Sequence, residues 1–247
     1  MKAMIFAAGY GTRLKPLTDT VPKALIPING IPLLQHLILK LKQEGFTEII
    51  VNVHHFADQI INFLNENHYF GIRIEISDER DALLDTGGGI RKAAWFFEDG
   101  LPFLVHNVDI ISNVDLQALY RHHLNSDSIA TLVVSKRATF RYLMFDKNNR
   151  LRGWINEKTQ ETKPEMLGNL QLYDKLAFAG IQVLSPLVID LMMSKETPKF
   201  PIIDFYLSEM NNHKIFGYEP ISLKLIDVGK IDSLPKAEKL IRELSFE

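Results

Sequence analysis

The stretch Met4–Leu25, MIFAAGYGTRLKPLTDTVPKAL, decides how the chain begins to fold. It begins inside a short apolar run, Ala3–Ala8, and continues beyond it. Such a run is typical of a buried parallel strand. Two glycines, a threonine and three cations follow at once: Gly9, Gly11, Thr12, Arg13, Lys15 and Lys23. Glycines after a strand let the backbone turn sharply and bring N–H groups close to an anion. The stretch therefore predicts a phosphate-binding loop at the end of the first strand.

Two familiar phosphate-binding loops do not fit this stretch. A dinucleotide fingerprint needs a third glycine where Leu14 stands, and it needs a helix to start there, which Pro16 opposes. A P-loop needs a Gly-Lys-Ser/Thr step after four intervening residues, and this stretch has none. The alternative is an ordinary turn with solvated charges, so the rest of the sequence has to decide between the two interpretations.

The composition narrows the class of protein. Hydrophobic residues make up 46% of the chain and charged residues 23%, which is ordinary for a globular protein. The net charge of −2 gives no support for a nucleic-acid or membrane-surface partner. The absence of cysteine excludes disulfides, a thiolate nucleophile and a cysteine-type zinc site. Since neither a signal-peptide pattern nor an apolar stretch of about 18 residues is found, we expect a soluble, cytoplasmic protein.

Strand and helix patterns alternate through the first half of the chain. Apolar runs predict strands at 3–8, 48–53, 72–77 and 102–108, and amphipathic spacing predicts helices at 32–44, 56–65 and 88–97. The second half is less regular, with a hairpin predicted over 142–156 and a closing helix over 235–244. This alternation predicts an α/β fold with a parallel, doubly wound sheet. No linker or composition break appears, so we expect one domain over 1–247.

The string AAGYGTRLKPLT…PKALIPINGIPLL, over Ala7–Leu34, resembles the N-terminal signature of the sugar-1-phosphate nucleotidyltransferases. The resemblance implies a Rossmann-like, mostly parallel sheet of the nucleotide-diphospho-sugar transferase type. It implies a nucleotide-binding half over 1–110 and a sugar-binding half over 111–247. It also implies that an NTP is bound by Ala8, Gly9, Gly11, Thr12, Arg13 and Lys23. Physically, loop amides, a guanidinium and an ammonium together neutralise a triphosphate.

A second glycine cluster, LLDTGGGI, occupies Leu83–Ile90 before a predicted helix. Free N–H groups at a helix start can bind an anion or another acceptor. The simpler alternative is a helix start capped by Thr86. The resemblance implies that Thr86, Gly87 and Gly88 lie against the base and sugar of the nucleotide, and that residues 79–86 choose the base.

Two aspartates, Asp109 and Asp227, each end an apolar run. Ligands of open α/β sheets bind at such strand ends, although each aspartate alone would usually be an ordinary turn residue. The resemblance implies that the pair binds Mg²⁺, and that Asp109 acts in catalysis with Arg13 and Lys23. The family usually has glycine before the first aspartate, where this chain has Val108. A valine adds bulk and stiffness, which we expect to alter the shape around the sugar phosphate.

Five further residues match the sugar-phosphate site of the family: Asn107, Glu157, Lys158, Gly180 and Asp204. Alternatives remain open for three of them. A solvated hairpin end explains Glu157 and Lys158 equally well, and first-turn placement on a helix explains Asp204. We expect no protein base, because His106 stands three residues before Asp109 and points to the opposite face of an extended strand.

The resemblance implies the reaction NTP + sugar 1-phosphate → NDP-sugar + pyrophosphate. The segments TEIIVNVHHFADQI, DTGGGI and IDVG are most similar to short uridylyltransferases that act on N-acetylmuramate 1-phosphate in cell-wall recycling. We therefore expect UTP to be the favoured nucleotide. Two alternatives stay open: a guanylyltransferase acting on mannose or heptose 1-phosphate, and a non-catalytic module that binds nucleotide-sugars.

Overall fold

The computed structural model describes residues 1–165 and 168–244. Its strands are β1 (Lys2–Phe6), β2 (Pro27–Ile28), β3 (Ile31–Pro32), β4 (Glu48–Val53), β5 (Arg73–Asp78), β6 (Phe103–Asn107), β7 (Ile110–Ser112), β8 (Ala130–Ser135), β9 (Arg141–Phe145), β10 (Leu151–Asn156), β11 (Glu161–Lys163), β12 (Asp174–Leu184), β13 (Ile215–Tyr218) and β14 (Leu225–Asp227). Its α-helices are α1 (Leu33–Gln43), α2 (Ala57–Glu66), α3 (Asp85–Lys92), α4 (Leu116–Leu124), α5 (Leu187–Met193), α6 (Ile202–Glu209) and α7 (Leu234–Leu244). The predicted alternation of strands and helices in the first half is confirmed.

Ten of these described strands form one sheet, in the order β11-β10-β9-β12-β6-β1-β4-β5, with β8 pairing β12 and β13. The strands β6, β1, β4 and β5 run parallel to one another. The long strand β12 then runs antiparallel to β6, β8 and β9. The sheet is therefore mixed, because the second half adds a long strand and a hairpin to the parallel strands of the first half.

Helices cover both faces of this sheet. On β1, Ala3 and Ile5 pack on one face and Met4 on the other, as the alternation of side chains in a strand requires. The first face is covered by α1, α2, α4 and α7, and the second by α3, α5 and α6. This confirms the predicted doubly wound α/β arrangement. In the described part of the chain, no helix has the length and apolarity that crossing a membrane requires.

The parallel strands bring three chain segments to the same edge of the sheet. Phe6, at the end of β1, lies opposite Asn52 of β4 on one side and Asn107 of β6 on the other. The glycine-rich stretch and Asp109 follow directly after β1 and β6. The separate antiparallel pair of β7 and β14 places Asp227 opposite Ile110. The carboxyl ends of the strands therefore gather residues that lie far apart in the sequence.

Candidate active site

A cavity of about 500 Å³ opens at the carboxyl ends of β1, β4 and β6. Its volume lies in the range of small-molecule sites. Nine residues predicted from the sequence line it: Ala8, Gly9, Gly11, Thr12, Arg13, Lys23, Thr86, Asn107 and Asp109. The structure thus gathers the predicted loop and the first predicted metal ligand around one opening.

Gly11 forms the sharp turn of the glycine-rich loop. Its φ is 64°, in the left-handed region that favours glycine. A Cβ at this position would lie 2.9 Å from Cγ2 of Thr18 and 3.1 Å from Cβ of Lys23. The Thr18 hydroxyl donates a 2.9 Å hydrogen bond to the Gly11 carbonyl and closes the turn. Glycine is therefore required here both for the backbone conformation and for the close approach of Lys23.

Lys23 and Asp109 form an ion pair on the wall of the cavity, in which Nζ of Lys23 donates to Oδ2 of Asp109. The two side chains are 11% and 19% exposed, so water screens the pair little. Lys23 begins a short 3₁₀ turn directly after Pro22, whose fixed φ limits how the lysine can approach. The pair places one positive and one negative group together where substrate phosphates would bind.

Asp227 lies beside Asp109 because β14 pairs with β7. The N–H of Val228 donates a 2.8 Å hydrogen bond to the carbonyl of Asp109, which holds the two chain segments together. Oδ1 of Asp227 is buried and has no hydrogen-bond partner among the described residues. The structure therefore brings the two predicted metal ligands into one place and leaves a buried carboxylate oxygen unsatisfied.

The surroundings of Asp227 disfavour its negative charge. Burial raises the pKa of the Asp227 carboxyl above its ordinary value, and the charge of Asp109 raises it further. The cations Lys23, Arg13 and Arg137 oppose this shift of the Asp227 pKa without cancelling it. Because the neighbouring cations do not fully compensate the negative charge of Asp227, a bound cation would stabilise it.

The two carboxylates fit a hard divalent cation. Mg²⁺ commonly takes one or two carboxylates, with substrate phosphates and water completing its six ligands. Within residues 1–165 and 168–244, no group of three or more His, Asp or Glu side chains is placed to hold a metal ion. A cation bound by Asp109 and Asp227 would therefore take its remaining ligands from water or the substrate.

Gly229 makes room for Arg13 next to this pair. A Cβ at Gly229 would lie 2.8 Å from Nη2 of Arg13 and 2.8 Å from Oδ1 of Asp227. Any side chain there would push into the space that the guanidinium and the carboxylate share. The motif IDVG signals a glycine after the aspartate, but sequence reasoning assigned it no role.

The structure does not bring Gly87 and Gly88 into the cavity. Their N–H groups donate to the carbonyl of Phe200, at 2.9 and 3.2 Å. A Cβ at Gly87 would lie 2.2 Å from Cε2 of Phe200, and one at Gly88 would lie 2.3 Å from the carbonyl oxygen of Pro198. The start of α3 thus packs against the segment before α6, which takes the amides that were predicted to face a nucleotide. Thr86 lines the cavity, and its hydroxyl accepts a 2.9 Å hydrogen bond from the N–H of Ile202.

Among the residues predicted for the sugar site, Asn107 and Gly180 lie together. Gly180 has a φ of 74°, and a Cβ there would lie 2.7 Å from Nδ2 of Asn107. Glu157, Lys158 and Asp204 lie outside the lining of the 500 Å³ cavity. Glu157 pairs with Lys175 at 2.9 Å, Asp204 pairs with Lys163 at 3.0 Å, and Lys158 is exposed. Their sugar-binding roles remain predictions.

Two residues at or near the site, Asn52 and Arg137, were missed by the sequence reasoning, and Glu79 was included only as the first residue of the segment 79–86. Asn52 and Glu79 line the cavity, and Asn52 accepts hydrogen bonds from the amides of Ala7 and Ala8. Arg137 follows β8, and its Nη2 donates a 3.0 Å hydrogen bond to the carbonyl of Phe178 on β12. In the sequence, each of these three polar residues stands at or just after the end of an apolar strand, and this position could have indicated a role in the site.

His106 and Val108 both pack into the core on the face of α1. His106 is 1% exposed, and its Nδ1 lies 2.8 Å from the carbonyl of Asn107. Burial lowers the pKa of His106 to about 4. Val108 is 4% exposed, and its N–H donates to the carbonyl of Phe6 at 3.1 Å. Val108 also lines the cavity, so part of its bulk borders the site as expected.

The chain matches a known protein family over nearly its whole length. The profile of the family described as Nucleotidyl transferase matches residues 2–243. The N-acetylmuramate alpha-1-phosphate uridylyltransferase of Neisseria meningitidis is 31% identical over 97% of this chain and 98% of its own length. A probable mannose-1-phosphate guanylyltransferase of Oryza sativa is 32% identical over 80% of this chain and 53% of its own length.

A solved structure shows the same fold. It is a putative glucose-1-phosphate thymidylyltransferase from Bacillus anthracis, and its TM-score is 0.82. It is 20% identical and covers 98% of this chain, while 96% of its own chain is covered. The family match over nearly the whole sequence sets aside the non-catalytic alternative, since the matched relatives are named as transferases. The chain therefore belongs to the nucleotidyl transferase family and is an enzyme of the sugar-1-phosphate nucleotidyltransferase type.

Proposed function

We propose that this enzyme transfers the uridylyl group of UTP to N-acetylmuramate 1-phosphate and releases pyrophosphate. One observation carries the choice of substrates: the Neisseria uridylyltransferase corresponds to the chain end to end, over 97% of this chain and 98% of its own length. The rice guanylyltransferase has similar identity but is covered over 53% of its length. The uridylyltransferase is thus matched as a whole protein, whereas the guanylyltransferase is matched as part of a longer one.

In the proposed reaction, an oxygen of the sugar phosphate attacks the α-phosphorus of the NTP in line. A new P–O bond forms as the bond between the α-phosphorus and the bridging oxygen breaks, and pyrophosphate leaves with that oxygen. Catalysis then consists of positioning and charge neutralisation. Arg13 stabilises the charge of the leaving pyrophosphate, and Lys23 neutralises phosphate charge at the reacting centre. Asp109 and Asp227 would hold Mg²⁺, which when bound supplies Lewis-acid stabilisation of phosphate oxygens.

An acidic sugar needs a cation near the sugar end of the site. N-acetylmuramate differs from N-acetylglucosamine by a lactyl ether that ends in a carboxylate. Arg137 is fixed on the carbonyl of Phe178, two residues before Gly180, and its charge acts on Asp227. A guanidinium at this place suits a carboxylate because its fork of donors matches the two oxygens. This supports an acidic sugar 1-phosphate as the acceptor.

The test is pyrophosphate release over a matrix of substrates. The four common NTPs would each be combined with the 1-phosphates of N-acetylmuramate, N-acetylglucosamine, mannose and a heptose, with and without Mg²⁺. The Asp109→Asn variant, prepared in parallel, measures contaminating activity. The expected result is the highest kcat/KM for UTP with N-acetylmuramate 1-phosphate. A higher kcat/KM for GTP with mannose or heptose 1-phosphate would replace this proposal with the guanylyltransferase reading.

A further inference from the structure

Two buried polar side chains connect the glycine-rich loop to the start of α3. Asn52 is 3% exposed and Glu79 is 0% exposed. Oδ1 of Asn52 accepts from the N–H groups of Ala7, at 2.7 Å, and Ala8, at 3.3 Å. Nδ2 of Asn52 donates to Oε1 of Glu79 at 2.7 Å, and Oε2 of Glu79 accepts from the N–H of Leu84 at 3.1 Å. An unbroken chain of hydrogen bonds therefore runs beneath the cavity from one of its walls to the other.

The chemistry of this chain of bonds requires one amide and one carboxylate. Backbone N–H donors stand at both ends, so the two side chains between them must accept at each end and still bond to each other. An amide can accept at one end and donate from the other, whereas a carboxylate accepts with both oxygens. Two amides would leave a donor facing a donor, and two carboxylates would leave two like charges in contact. The pair of Asn52 and Glu79 satisfies every group.

The carboxylate of Glu79 is held by hydrogen bonds alone. Within the described residues Glu79 forms no ion pair, although burying an unpaired charge is costly unless it is well hydrogen-bonded. Gly89, the third glycine of the TGGG cluster, provides the space for it. A Cβ at Gly89 would lie 2.9 Å from Oε1 of Glu79 and 3.3 Å from Nδ2 of Asn52. Gly89, which was not predicted to contact the nucleotide, is therefore required by this buried pair.

We propose that Asn52 and Glu79 are positioning residues for nucleotidyl transfer: one hydrogen-bonded unit that fixes the glycine-rich loop relative to the start of α3. The unit acts on the substrate through the backbone of Ala7, Ala8 and Leu84. It goes beyond the proposed choice of substrates and holds for whichever NTP the enzyme uses. A displacement of about 1 Å in such a loop can lower the rate about a hundredfold. Loss of the hydrogen bonds of this unit should therefore lower the rate strongly.

A reciprocal exchange of the two functional groups tests the proposal. Asn52→Asp alone sets two carboxylates against each other, and Glu79→Gln alone sets a donor against a donor. The double variant Asn52→Asp/Glu79→Gln restores every bond, with the new carboxylate on β4 and the new amide accepting from Leu84. The expected kcat/KM for the NTP falls about a hundredfold in each single variant and returns to within about fivefold of wild type in the double variant.

The control is Tyr206→Phe, which removes a buried 2.8 Å hydrogen bond to Gln182 away from the cavity. It should lower the unfolding temperature without changing kcat/KM. All variants are assayed with the NTP and sugar 1-phosphate that wild type turns over fastest, so a different best substrate leaves the proposal standing. Nucleotide binding by calorimetry and thermal unfolding accompany the kinetics.

The double variant decides even where a single variant does not fold. Recovery of activity in the folded double variant supports the proposal. A folded double variant no better than the weaker single variant overturns it, because the carboxylate of Glu79 would then act on the substrate from its own position. Single variants within about threefold of wild type would also overturn it, since the expected loss is about a hundredfold. So would a double variant that does not fold.

Discussion

The predicted phosphate end and the predicted sugar end of the site hold their charges in different ways. At the phosphate end, Arg13, Lys23, Asp109 and Asp227 converge from four chain segments, and the Lys23–Asp109 pair is mostly buried. At the sugar end, Asp204 is exposed and pairs at the surface with Lys163. One set of charges is built into the ends of the sheet strands, and the other lies on a hairpin and a short helix.

The difference shows which part of the site the fold fixes. Buried charges between strand ends have few alternative positions, and Gly11 and Gly229 leave room for specific side chains there. Exposed ion pairs contribute about 0–1 kcal/mol each, so a ligand can replace them at little cost. The phosphate end therefore holds the chemistry of the reaction in a preformed shape, and we expect the sugar end to adapt to its substrate.

The largest expected effect is at the phosphate end. Asp109→Asn or Asp227→Asn should lower kcat at least about a hundredfold, because each removes charge stabilisation at the reacting phosphates. The Asp227→Asn variant should nevertheless be more stable to unfolding than wild type. Since burial and Asp109 raise the pKa of the Asp227 carboxyl, its ionised form destabilises the metal-free fold at neutral pH.

Thermal unfolding in the presence of a chelator checks this second part. Asp227→Asn should unfold at a higher temperature than wild type, and added Mg²⁺ should stabilise wild type more than the variant. A change of about 1 kcal/mol moves the midpoint by about 2–4 °C in a chain of this size, which is measurable. Near-wild-type turnover in either aspartate variant would remove the metal assignment.

Gly229→Ala should have the next largest effect. Its methyl group would enter the space 2.8 Å from both the guanidinium of Arg13 and the carboxylate of Asp227. We expect kcat/KM for the NTP to fall about tenfold to a hundredfold, as for a small displacement of a catalytic group. Steady-state kinetics check this, and a fold confirmed by circular dichroism is the control. Unchanged kinetics would show that Arg13 does not depend on this space.

Arg137→Gln should lower kcat/KM for one sugar 1-phosphate and leave it nearly unchanged for another. If the guanidinium binds the lactyl carboxylate, kcat/KM for N-acetylmuramate 1-phosphate should fall roughly tenfold or more, the scale of a lost charged hydrogen bond. The residual activity with N-acetylglucosamine 1-phosphate, which has no carboxylate, should stay within about twofold. Equal losses for both sugars would assign Arg137 to the shared phosphate.

Glu157→Gln and Asp204→Asn should have small effects. Each breaks an exposed ion pair, with Lys175 or Lys163, so thermal stability should change by less than about 1 kcal/mol. If these carboxylates bind sugar hydroxyls, KM for the sugar 1-phosphate rises while KM for the NTP stays constant. The same KM for both substrates as in wild type would show that the sugar binds elsewhere.

The smallest expected effect on activity is that of His106→Ala. Since burial lowers the pKa of His106 to about 4, the ring is neutral throughout an assay between pH 5.5 and 8. The acidic limb of kcat/KM, set by the second ionisation of the sugar phosphate at roughly pH 6, should therefore stay in place. Loss of that limb in the variant would mean that a protein base takes part.

His106 should instead affect stability against acid. A ring held neutral in the fold contributes its full stability above pH 6.5, the ordinary value, and loses it as the pH falls through about 4. The contribution is on the order of 3 kcal/mol from the shift of its pKa. Unfolding midpoints measured from pH 7 to 4 should fall less steeply in His106→Ala than in wild type.

The fold, and the gathering of the predicted loop and Asp109 around one cavity, were predictable because local signals sufficed for them. Apolar runs and helical spacing predict β1, β4, β5 and β6 and helices α1 to α3, and the strand ends predict that Arg13 and Asp109 line one cavity. Gly87 and Gly88 lie outside the lining of the cavity for a physical reason. Free N–H groups at a helix start can donate to any acceptor, and the sequence cannot show that they donate to the Phe200 carbonyl, more than 100 residues later.

The same limit applies to the residues that were missed. Asn52 lies on β4, while the groups that it and Glu79 bond follow β1 and β5 or precede α3, so no spacing rule within one segment reveals them. Arg137 reaches the Phe178 carbonyl because β8 pairs with β12, a relation that only the paired strands disclose. Predictions from local pattern therefore succeed for elements and fail for contacts made across the sheet.

The contact between Gly87 and Phe200 has a consequence for the history of the sequence. The absent side chain at one position makes the ring at the other possible, since a Cβ at Gly87 would lie 2.2 Å from Cε2 of Phe200. The two positions therefore carry one inherited constraint. A lineage can acquire a side chain at position 87 only after the residue at position 200 has become smaller, so an alignment of relatives should show the two changing together.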